Sequence, residues 1–369
     1  MRIRPFQAVY PNMDYIASPD SFFDTVKSEY PEYKKSGFFH KAPQEALYVY
    51  RIKTSERTYT GLIACADIQD YVDGHIKKHE KTLATKEQQQ VHLLLSRNAV
   101  VKPVLLTYPR TKSIDKLLSA YIEENKSFYS VRFFQRGDEH TFWAISSGPL
   151  IQKIQSLFEN KVKTTYIADG HHRSSTMALM YDRTRDELEK VRFDRLLCAF
   201  FPTTELEVYD YNRVVDGLNE LSLTTFMAKI SQIFDIEILE EPQRPKGKHE
   251  LVMYVNREWF KLRWKEHVLK AQPKKEVILD ANLLNEKVLH DILGIEDVRT
   301  DERIKYVEGP KGLEGLRSKT LKSESRVAFC LPPVSLSDLM LLADQDKTLP
   351  PKSTWFEPRI KNGLIVQEV

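Results

Sequence analysis

An octapeptide in the middle of the chain, Tyr166–Arg173 (YIADGHHR), concentrates residue types suited to acid–base and anion-binding chemistry. A short apolar run meets an acid and a glycine, then two histidines and an arginine. This order predicts a strand, a tight turn and a helix N-terminus, where backbone N–H groups and the helix dipole favour phosphate. Asp169 can bind a metal or accept a proton. His171 and His172 can titrate near neutral pH, and Arg173 can hold a phosphate through two hydrogen bonds.

The same octapeptide has a plainer interpretation. Asp-Gly could form an ordinary turn with Asp169 as the helix N-cap, and His-His-Arg could be a solvated first helical turn. A motif gains weight from its structural context, and here a strand pattern precedes the turn and a helix pattern follows it. We therefore predict an anion-binding turn.

The second segment with chemical potential is His75–Thr82 (HIKKHEKT). His75 and His79 are four residues apart, so on a helix they would share a face and could bind a metal together with Glu80. The zincin order, with Glu directly after the first His, is missing, and the neighbouring lysines are typical of a solvated helix end. The functional interpretation that we prefer is a general base, in which Glu80 takes a proton from a hydroxyl and His79 orients it.

The third segment, Pro350–Glu357 (PPKSTWFE), follows two prolines with one cation and two hydroxyls, at Lys352, Ser353 and Thr354. That set suits a phosphate or a carboxylate. The alternative is a proline-terminated helix that leads into a final strand. The Gly-x4-Gly-Lys-Ser/Thr spacing of a P-loop is missing.

The composition of the whole chain narrows the class of protein. The 369 residues carry 55 basic and 52 acidic side chains, a net charge of +3 that gives no general attraction to nucleic acid or membrane. No apolar stretch approaches the roughly 20 residues of a membrane span, and the first residues lack a signal-peptide core. Three widely separated cysteines indicate buried thiols rather than a disulfide framework. We predict a cytoplasmic protein with no membrane association.

Strand and helix patterns alternate along the chain and predict an α+β (mixed α/β) fold. The predicted strands are Ala46–Lys53, Tyr59–Ala66, Lys102–Tyr108, Phe128–Phe134, Thr141–Ile145, Arg195–Phe201, Ile236–Leu239, Leu251–Val255, Trp259–Trp264, Ile304–Val307 and Val327–Leu331. The predicted helices are Ile68–Gly74, Leu83–Arg97, Ser113–Asn125, Pro149–Asn160, Ser222–Phe234, Leu283–Leu293 and Ser335–Ala343. The Pro- and Gly-containing segment Glu241–His249 predicts a boundary between residues 1–241 and a smaller α/β part, 250–369, packed on the core.

The order of a His-Glu pair, a helix, a strand and a DGHHR turn that opens a helix resembles the ParB/sulfiredoxin superfamily, and locally its free L-serine kinases. Over nearly its full length the chain resembles a bacterial family of unknown function often labelled ParB-like. The matching segments are Ile3–Phe6, Ala46–Arg51, Lys77–Thr82, Tyr166–Arg173 and Leu349–Pro358. The resemblance implies a ParB/sulfiredoxin-like core with a large insertion and a C-terminal α/β extension.

The resemblance also implies roles for individual residues. Glu80 would be the kinase general base with His79 beside it, and Asp169 would lie near Mg²⁺ and phosphate. The nucleotide-phosphate cradle would be formed by the DGHHR turn, with Gly170, His171, His172 and Arg173. The loop Lys352–Thr354 has a counterpart only in the larger family.

Two departures from the kinase pattern concern the substrate and the fold. About 90 residues separate the HE pair from DGHHR, a large insertion. Near the N-terminus, Ser18-Pro19-Asp20-Ser21 replaces the family's Pro-Pro-Tyr-Asp. If that segment binds the substrate, the identity of the substrate is open.

These observations predict a phosphotransferase that acts on a small hydroxylated metabolite, with free serine or a serine-like amino acid as the best guess. Mg²⁺ and ADP, ATP or pyrophosphate would be the cofactor and the donor. The alternatives are a phosphatase or nucleotide hydrolase that uses the same turn, and a ParB-like nucleotide-sensing regulator that could form a homodimer. Sulfiredoxin needs a cysteine in the turn, and DNA-partitioning ParB proteins use Glu-Arg-Arg there. This chain has Gly170-His171-His172 instead, which argues against both classes of protein. The near-neutral charge also argues against binding to duplex DNA.

Overall fold

A computed structural model describes residues 1–273, 277–323 and 325–369. Its strands are β1 Ile3–Arg4, β2 Val9–Pro11, β3 Phe39–Lys41, β4 Leu47–Lys53, β5 Thr58–Asp67, β6 Ile76–Lys77, β7 Ala99–Val100, β8 Val104–Tyr108, β9 Tyr129–Arg132, β10 Glu139–Ile145, β11 Thr165–Asp169, β12 Arg195–Pro202, β13 Glu207–Tyr209, β14 Tyr211–Asp216, β15 Phe234–Leu239, β16 Glu250–Val255, β17 Glu258–Trp264, β18 Ile304–Glu308, β19 Arg326–Cys330, β20 Trp355–Glu357 and β21 Gln367–Glu368. Its helices are α1 Pro19–Lys35, α2 Ile68–Val72, α3 Ala84–Arg97, α4 Lys112–Glu124, α5 Gly148–Lys161, α6 His171–Arg183, α7 Glu187–Lys190, α8 Leu223–Ile233, α9 Glu266–Lys270, α10 Asp280–Leu283 with a π-helical continuation Leu284–His290, α11 Gly312–Thr320 and α12 Leu336–Asp344.

The chain divides into two compact units. The first contains Met1–Glu207 together with the final segment Pro358–Val369, and the second contains Val208–Glu357. The loop Glu241–His249, at which the sequence predicts a boundary, lies within the second unit.

The first unit is organised around a mixed sheet with the strand order β6-β11-β8-β12-β5-β4-β10-β9, and β1 pairs with β5. β11 is parallel to β6 and antiparallel to β8, whereas β12 is parallel to β8 and antiparallel to β5. The central strands are continuous apolar runs because helices cover the sheet, and every residue of β8 is buried. This sheet positions the candidate site at one of its edges.

The final segment of the chain belongs to the first unit through backbone pairing. Gln367 of β21 lies opposite Val100 of β7, and Val366 exchanges two backbone hydrogen bonds with Val9. Gly363 has a φ of +74°, and a Cβ atom there would lie 2.5 Å from Val26 Cγ1 of α1. A glycine is therefore required where this segment passes α1.

The second unit has its own antiparallel sheet, with the order β15-β17-β16-β19-β14-β18. An apolar core lies between this sheet and α8 and the α10 region, with Phe226, Leu251, Leu284 and Phe329 fully buried. Ser335 caps α12 by accepting a hydrogen bond from the Asp338 N–H at 3.1 Å, as its Ser-x-x-Asp pattern predicts.

The predicted mixed α/β class is confirmed, and the predicted strands and helices correspond to observed ones. Four helices of the described residues are not predicted: the short α7 and α9, then α1, which starts at a proline in its first turn and contains Pro31, and α11, which follows the turn Gly309–Lys311. The segment His75–Thr82 is not helical, because β6 pairs with β11 and the residues after it form a loop. His75 and His79 therefore do not share a helical face, as they would if this segment were a helix.

Within the described ranges, no helix combines the length and the apolar character that a membrane crossing requires.

Candidate functional site

The sheet of the first unit brings three separate segments to one edge. β6 and β11 are parallel, so the loop that contains His79 and Glu80 and the turn at Asp169 both follow the carboxyl ends of neighbouring strands. β8 is antiparallel to β11, and Asp169 lies opposite Leu105. The residues that lead into β8, including Lys102, therefore reach the same edge.

The turn after β11 depends on glycine. Gly170 is the N-cap of α6, with a φ of +115°, a backbone conformation that other residues adopt only with strain. A Cβ atom at this position would lie 2.7 Å from Arg173 Nη2, because the guanidinium of Arg173 folds back over the glycine. Among the described residues no side chain caps α6, so the plainer interpretation of Asp169 as the N-cap does not hold.

Three cations surround the carboxylate of Asp169. Its Oδ2 accepts hydrogen bonds from Lys102 Nζ at 3.0 Å and from Arg173 Nη2 at 3.1 Å, and its Oδ1 lies 3.9 Å from Arg359 Nη1. Arg173 Nη2 also donates to the Pro103 carbonyl at 3.3 Å. We call these four side chains, Lys102, Asp169, Arg173 and Arg359, the cation cluster. Three positive charges against one negative charge leave a surplus beside the N-terminus of a thirteen-residue helix, which favours an incoming anion.

Burial and neighbouring charges shift the pKa values of Asp169 and Lys102 in the cation cluster. Burial would raise the pKa of Asp169, but the charges of Arg173, Lys102 and Arg359 outweigh burial and hold that pKa below its usual value. Burial lowers the pKa of Lys102, and the nearby carboxylate of Asp169 opposes this change. The cluster side chains are 19–31% exposed, so a small anion can reach them from solvent.

Glu80 is connected to the turn through His171. The Oε2 atom of Glu80 lies 3.6 Å from His171 Nδ1, and His171 Nε2 accepts the backbone N–H of His79 at 3.4 Å. A neutral imidazole that accepts at Nε2 carries its proton on Nδ1, the nitrogen that faces Glu80. Glu80 is 46% exposed and His171 is buried. A solvent-accessible carboxylate is thus held against the DGHHR turn by a buried ring.

The two histidines of the turn and His79 do not add positive charge to the site. Burial lowers the pKa of His171 to about 4 and holds the pKa of His79 well below its usual value. Burial also lowers the pKa of His172. The His79 ring packs edge-on against His171 at 4.4 Å between centroids. His79 therefore orients His171, through its backbone N–H and its ring, and the positive charge of the site comes from the lysine and arginines.

The third predicted segment lies in the second unit. Lys352 Nζ lies 5.3 Å from the centroid of the Tyr211 ring, and the Ser353 hydroxyl donates to the Pro350 carbonyl at 2.8 Å. Thr354 follows in the same loop before β20. The structure thus brings Glu80, His79 and the Asp169–Arg173 turn together in the first unit. Lys352, Ser353 and Thr354 belong to the second unit.

Asp169 does not fit its predicted role as a Mg²⁺ ligand. Its two oxygens face three cations, and a bound Mg²⁺ would compete with them. In the part of the chain that the structure describes, no group of three or more His, Cys, Asp or Glu side chains could hold a metal ion. Mg²⁺ is usually held by one or two carboxylates, water and substrate phosphates, and both oxygens of Asp169 already face cations, so we derive no step through this ion.

Two members of the cation cluster were missed in the sequence. Lys102 was assigned only as the start of a strand, and Arg359 directly follows the matching segment Leu349–Pro358. Both are basic residues next to a proline at the entry or exit of an extended segment. That signal is weak, and only the tertiary structure places them beside Asp169.

Several solved structures are similar to this chain at low identity. SbnI from Staphylococcus aureus, with a C-terminal truncation, is 11% identical, with 81% of this chain and 85% of that chain covered and a TM-score of 0.42. A free serine kinase variant in complex with ADP is 13% identical, with coverages of 80% and 87% and a TM-score of 0.39. A conserved hypothetical protein from Pyrococcus furiosus is 13% identical, with coverages of 83% and 95% and a TM-score of 0.40. Similarity at this level assigns no role to any residue.

No curated protein matches the sequence. The family model described as "Protein of unknown function (DUF1015)" matches residues 8–285, which is about three quarters of the chain. The chain therefore belongs to the DUF1015 family.

Proposed function

We propose that the first unit is a small-molecule phosphotransferase, in which the cation cluster holds a phosphoryl donor and Glu80 activates a hydroxyl. The observation that carries this proposal is the juxtaposition of an exposed carboxylate and a surplus of cations, joined through His171 at a helix N-terminus. Phosphoryl transfer needs mainly positioning and electrostatic stabilisation, and this arrangement supplies both.

The proposed step follows from the residues present. The substrate hydroxyl oxygen attacks the terminal phosphorus of the donor, and a new P–O bond forms as the bond to the leaving phosphate breaks. The hydroxyl proton passes to Glu80, and the leaving group departs with the bonding electron pair. Arg173 and Arg359 offset the negative charge that spreads over the transferred group. A positioned general base typically contributes 10²–10⁴-fold to the rate.

His171 keeps Glu80 in place without competing for the substrate proton. Because burial keeps its ring neutral at neutral pH, the Nδ1 proton can face Glu80 while Nε2 remains fixed by the His79 N–H. The Nδ1 proton therefore favours an orientation of the Glu80 carboxylate toward the turn, as a base requires.

The finer parts of the proposal rest on the order of motifs in the sequence. The His-Glu pair and DGHHR resemble those of free L-serine kinases, so free serine or a serine-like amino acid is the proposed substrate. The same resemblance supports a ParB/sulfiredoxin-like core and a donor chosen from ADP, ATP and pyrophosphate. The homodimer and the participation of Lys352–Thr354 stay predictions.

A hydrolase is the second candidate. Glu80 is 46% exposed, so a water molecule could take the position of the substrate hydroxyl and attack the same phosphorus. The product would then be inorganic phosphate, without any phosphorylated acceptor.

The test is a transfer assay on the purified full-length protein. ATP, ADP or pyrophosphate is supplied with and without Mg²⁺, against free amino acids and small alcohols, and products are identified by mass spectrometry. We expect a phosphorylated product that disappears in Asp169→Ala and falls at least 100-fold in Glu80→Gln. The matched control is Glu56→Gln, because Glu56 is an exposed glutamate in a turn of the same unit.

Three outcomes would contradict the proposal. Unchanged turnover in Glu80→Gln would remove the assigned base. Release of phosphate without a phosphorylated acceptor would favour the hydrolase. Nucleotide binding that depends on Asp169 but produces no turnover would favour a sensor.

A further inference from the structure

A cavity of about 240 Å³ opens beside the cation cluster, within the first unit. Two members of the cluster, Lys102 and Arg173, line it, and so do residues of α1, α3, α6 and the final segment of the chain. Lys27 and Arg97 bring the number of lining cations to four, and no aspartate or glutamate is among the lining residues described. The cavity is therefore suited to a negatively charged ligand.

Polar atoms in the wall of this cavity are buried without hydrogen-bond partners. Within the described residues, this holds for Arg97 Nη2, Arg173 Nε and Thr176 Oγ1. Thr176 is only 2% exposed. A buried polar atom without a partner costs about 1–3 kcal/mol, so three around one cavity indicate partners that a ligand supplies.

Arg97 differs from the other cations of the site. Asp169 balances Lys102 and Arg173, whereas no ion pair is found for Arg97 in the part of the chain that the structure describes. Burial lowers the pKa of Arg97, and no neighbouring carboxylate opposes this effect. A half-buried guanidinium without a counterion is destabilising unless an anion binds it.

The rest of the wall is mostly apolar, with Gln90 and Asn362 as its further polar side chains among the lining residues described. Leu94, Val101, Met177 and Leu196 line the cavity, and each is at least nine-tenths buried. Ligand pockets for drug-sized molecules usually enclose about 300–1,000 Å³. A cavity of about 240 Å³ suits a metabolite of a few carbons and is small for a nucleoside.

We infer that this cavity binds a small acidic metabolite, with an anionic group on Arg97, a polar group on the Thr176 hydroxyl and a short carbon body against the apolar wall. The inference rests on the proposed function in one respect: the metabolite would be the phosphoryl acceptor, which approaches donor phosphates held at Lys102 and Arg173. The anionic group is a carboxylate or a phosphate monoester, because both pair with a guanidinium in the same way.

The test is a binding titration that does not depend on turnover. L-serine, malate and glycerol 3-phosphate are titrated by calorimetry, with glycerol as the uncharged match. The variants are Arg97→Gln, which removes the charge, and Thr176→Val, which removes the hydroxyl at constant shape. Arg185→Gln is the matched control, because Arg185 is an exposed arginine just after α6.

We expect at least one of the probes that carry a carboxylate or a phosphate to bind, and glycerol not to bind. Affinity for that probe should fall about tenfold or more in Arg97→Gln and about threefold to tenfold in Thr176→Val, and stay unchanged in Arg185→Gln. Malate and glycerol 3-phosphate separate the carboxylate from the phosphate as the group that Arg97 recognises.

A structural role for Arg97 predicts a different result. Without ligand, we expect the thermal midpoint of Arg97→Gln to equal or exceed that of the wild type, because a partnerless charge is removed. A lower midpoint would instead indicate an internal partner and would contradict the inference. If Arg97→Gln fails to fold, which also contradicts it, Thr176→Val still reports on the cavity.

The two proposals can fail independently. Loss of acid binding in Arg97→Gln supports the cavity even if no phosphotransfer is found. Phosphotransfer with an unchanged KM in Arg97→Gln, or no binding of any acidic probe at millimolar concentration, would overturn the cavity and leave the role of Glu80 standing.

Discussion

Replacing Gly170 with alanine tests whether the turn holds Arg173 in a phosphate-binding position. The perturbation has two parts. Alanine at a φ of +115° strains the backbone by about 1–2 kcal/mol. The new Cβ would also lie 2.7 Å from Arg173 Nη2, and the flexible guanidinium must move away because the backbone cannot.

The displaced guanidinium loses its contacts to Asp169 at 3.1 Å and to the Pro103 carbonyl at 3.3 Å. The ion pair is partly exposed, so its loss lowers the free energy of unfolding by only about 0.5–1 kcal/mol. We therefore expect Gly170→Ala to destabilise the protein by about 1.5–3 kcal/mol in total. Because a charge-assisted hydrogen bond contributes about 1.5 kcal/mol, pyrophosphate should bind about tenfold more weakly.

The assays are urea unfolding for stability and calorimetric titration of pyrophosphate for binding. The matched control is Gly148→Ala at the first position of α5, where an added Cβ atom meets nothing within 4 Å. We expect it to change stability by less than about 0.5 kcal/mol and to leave binding unchanged.

Repeating Gly170→Ala in an Arg173→Ala background separates the backbone strain from the displacement of the Arg173 guanidinium. The backbone strain should persist, while the effect on pyrophosphate affinity should vanish, because the displaced group is gone. Wild-type affinity in Gly170→Ala, or an equal loss of affinity in both backgrounds, would refute the assigned role of the turn.

Four further predictions concern the base, the buried histidine, the cluster and a helix cap. Glu80→Gln should leave pyrophosphate affinity within about twofold of the wild type while transfer falls at least 100-fold, measured on the same samples. Burial lowers the pKa of His171 to about 4, so between pH 6.5 and pH 4 the unfolded state binds a proton that the folded state does not. The contribution of His171 to the free energy of unfolding is therefore complete above about pH 6.5 and falls by up to about 3 kcal/mol toward pH 4. His171→Gln should reduce this pH dependence, as measured by urea unfolding. Lys102→Met should weaken pyrophosphate binding about tenfold, whereas Lys112→Met, at an exposed position, should not. Equal affinities in the two variants would exclude Lys102 from the site. Ser335→Ala should lower the free energy of unfolding of the second unit by about 1 kcal/mol, seen as a lower urea midpoint, and an unchanged midpoint would show that the cap is dispensable.

The sequence predicted well those features that depend on neighbouring residues. The apolar run, the glycine and the helix-forming segment around Asp169 define a strand, turn and helix locally, and the structure contains them as β11, Gly170 and α6. The Ser-x-x-Asp cap at Ser335 is likewise a contact across three residues. Patterns of this kind need no knowledge of the rest of the chain.

Features that depend on pairing between distant segments were predicted less well. The His75–Thr82 segment has a composition that a helix end could share, but pairing of β6 with β11, about 90 residues away in the sequence, makes it a strand and a loop. The α1 helix was missed because its prolines and mixed polarity obscure the helical pattern, and packing of its buried face stabilises it.

The sequence alone therefore identified three residues of the candidate site, Asp169, Glu80 and Gly170, which are recognisable by type and spacing. Only the tertiary structure decided which charged side chains lie beside these residues. Lys102 and Arg359 reach Asp169 from segments 67 residues before it and 190 residues after it, and burial makes the neighbouring histidines neutral. Electrostatic interactions act through space, and burial depends on packing, so neither can be read from the order of residues.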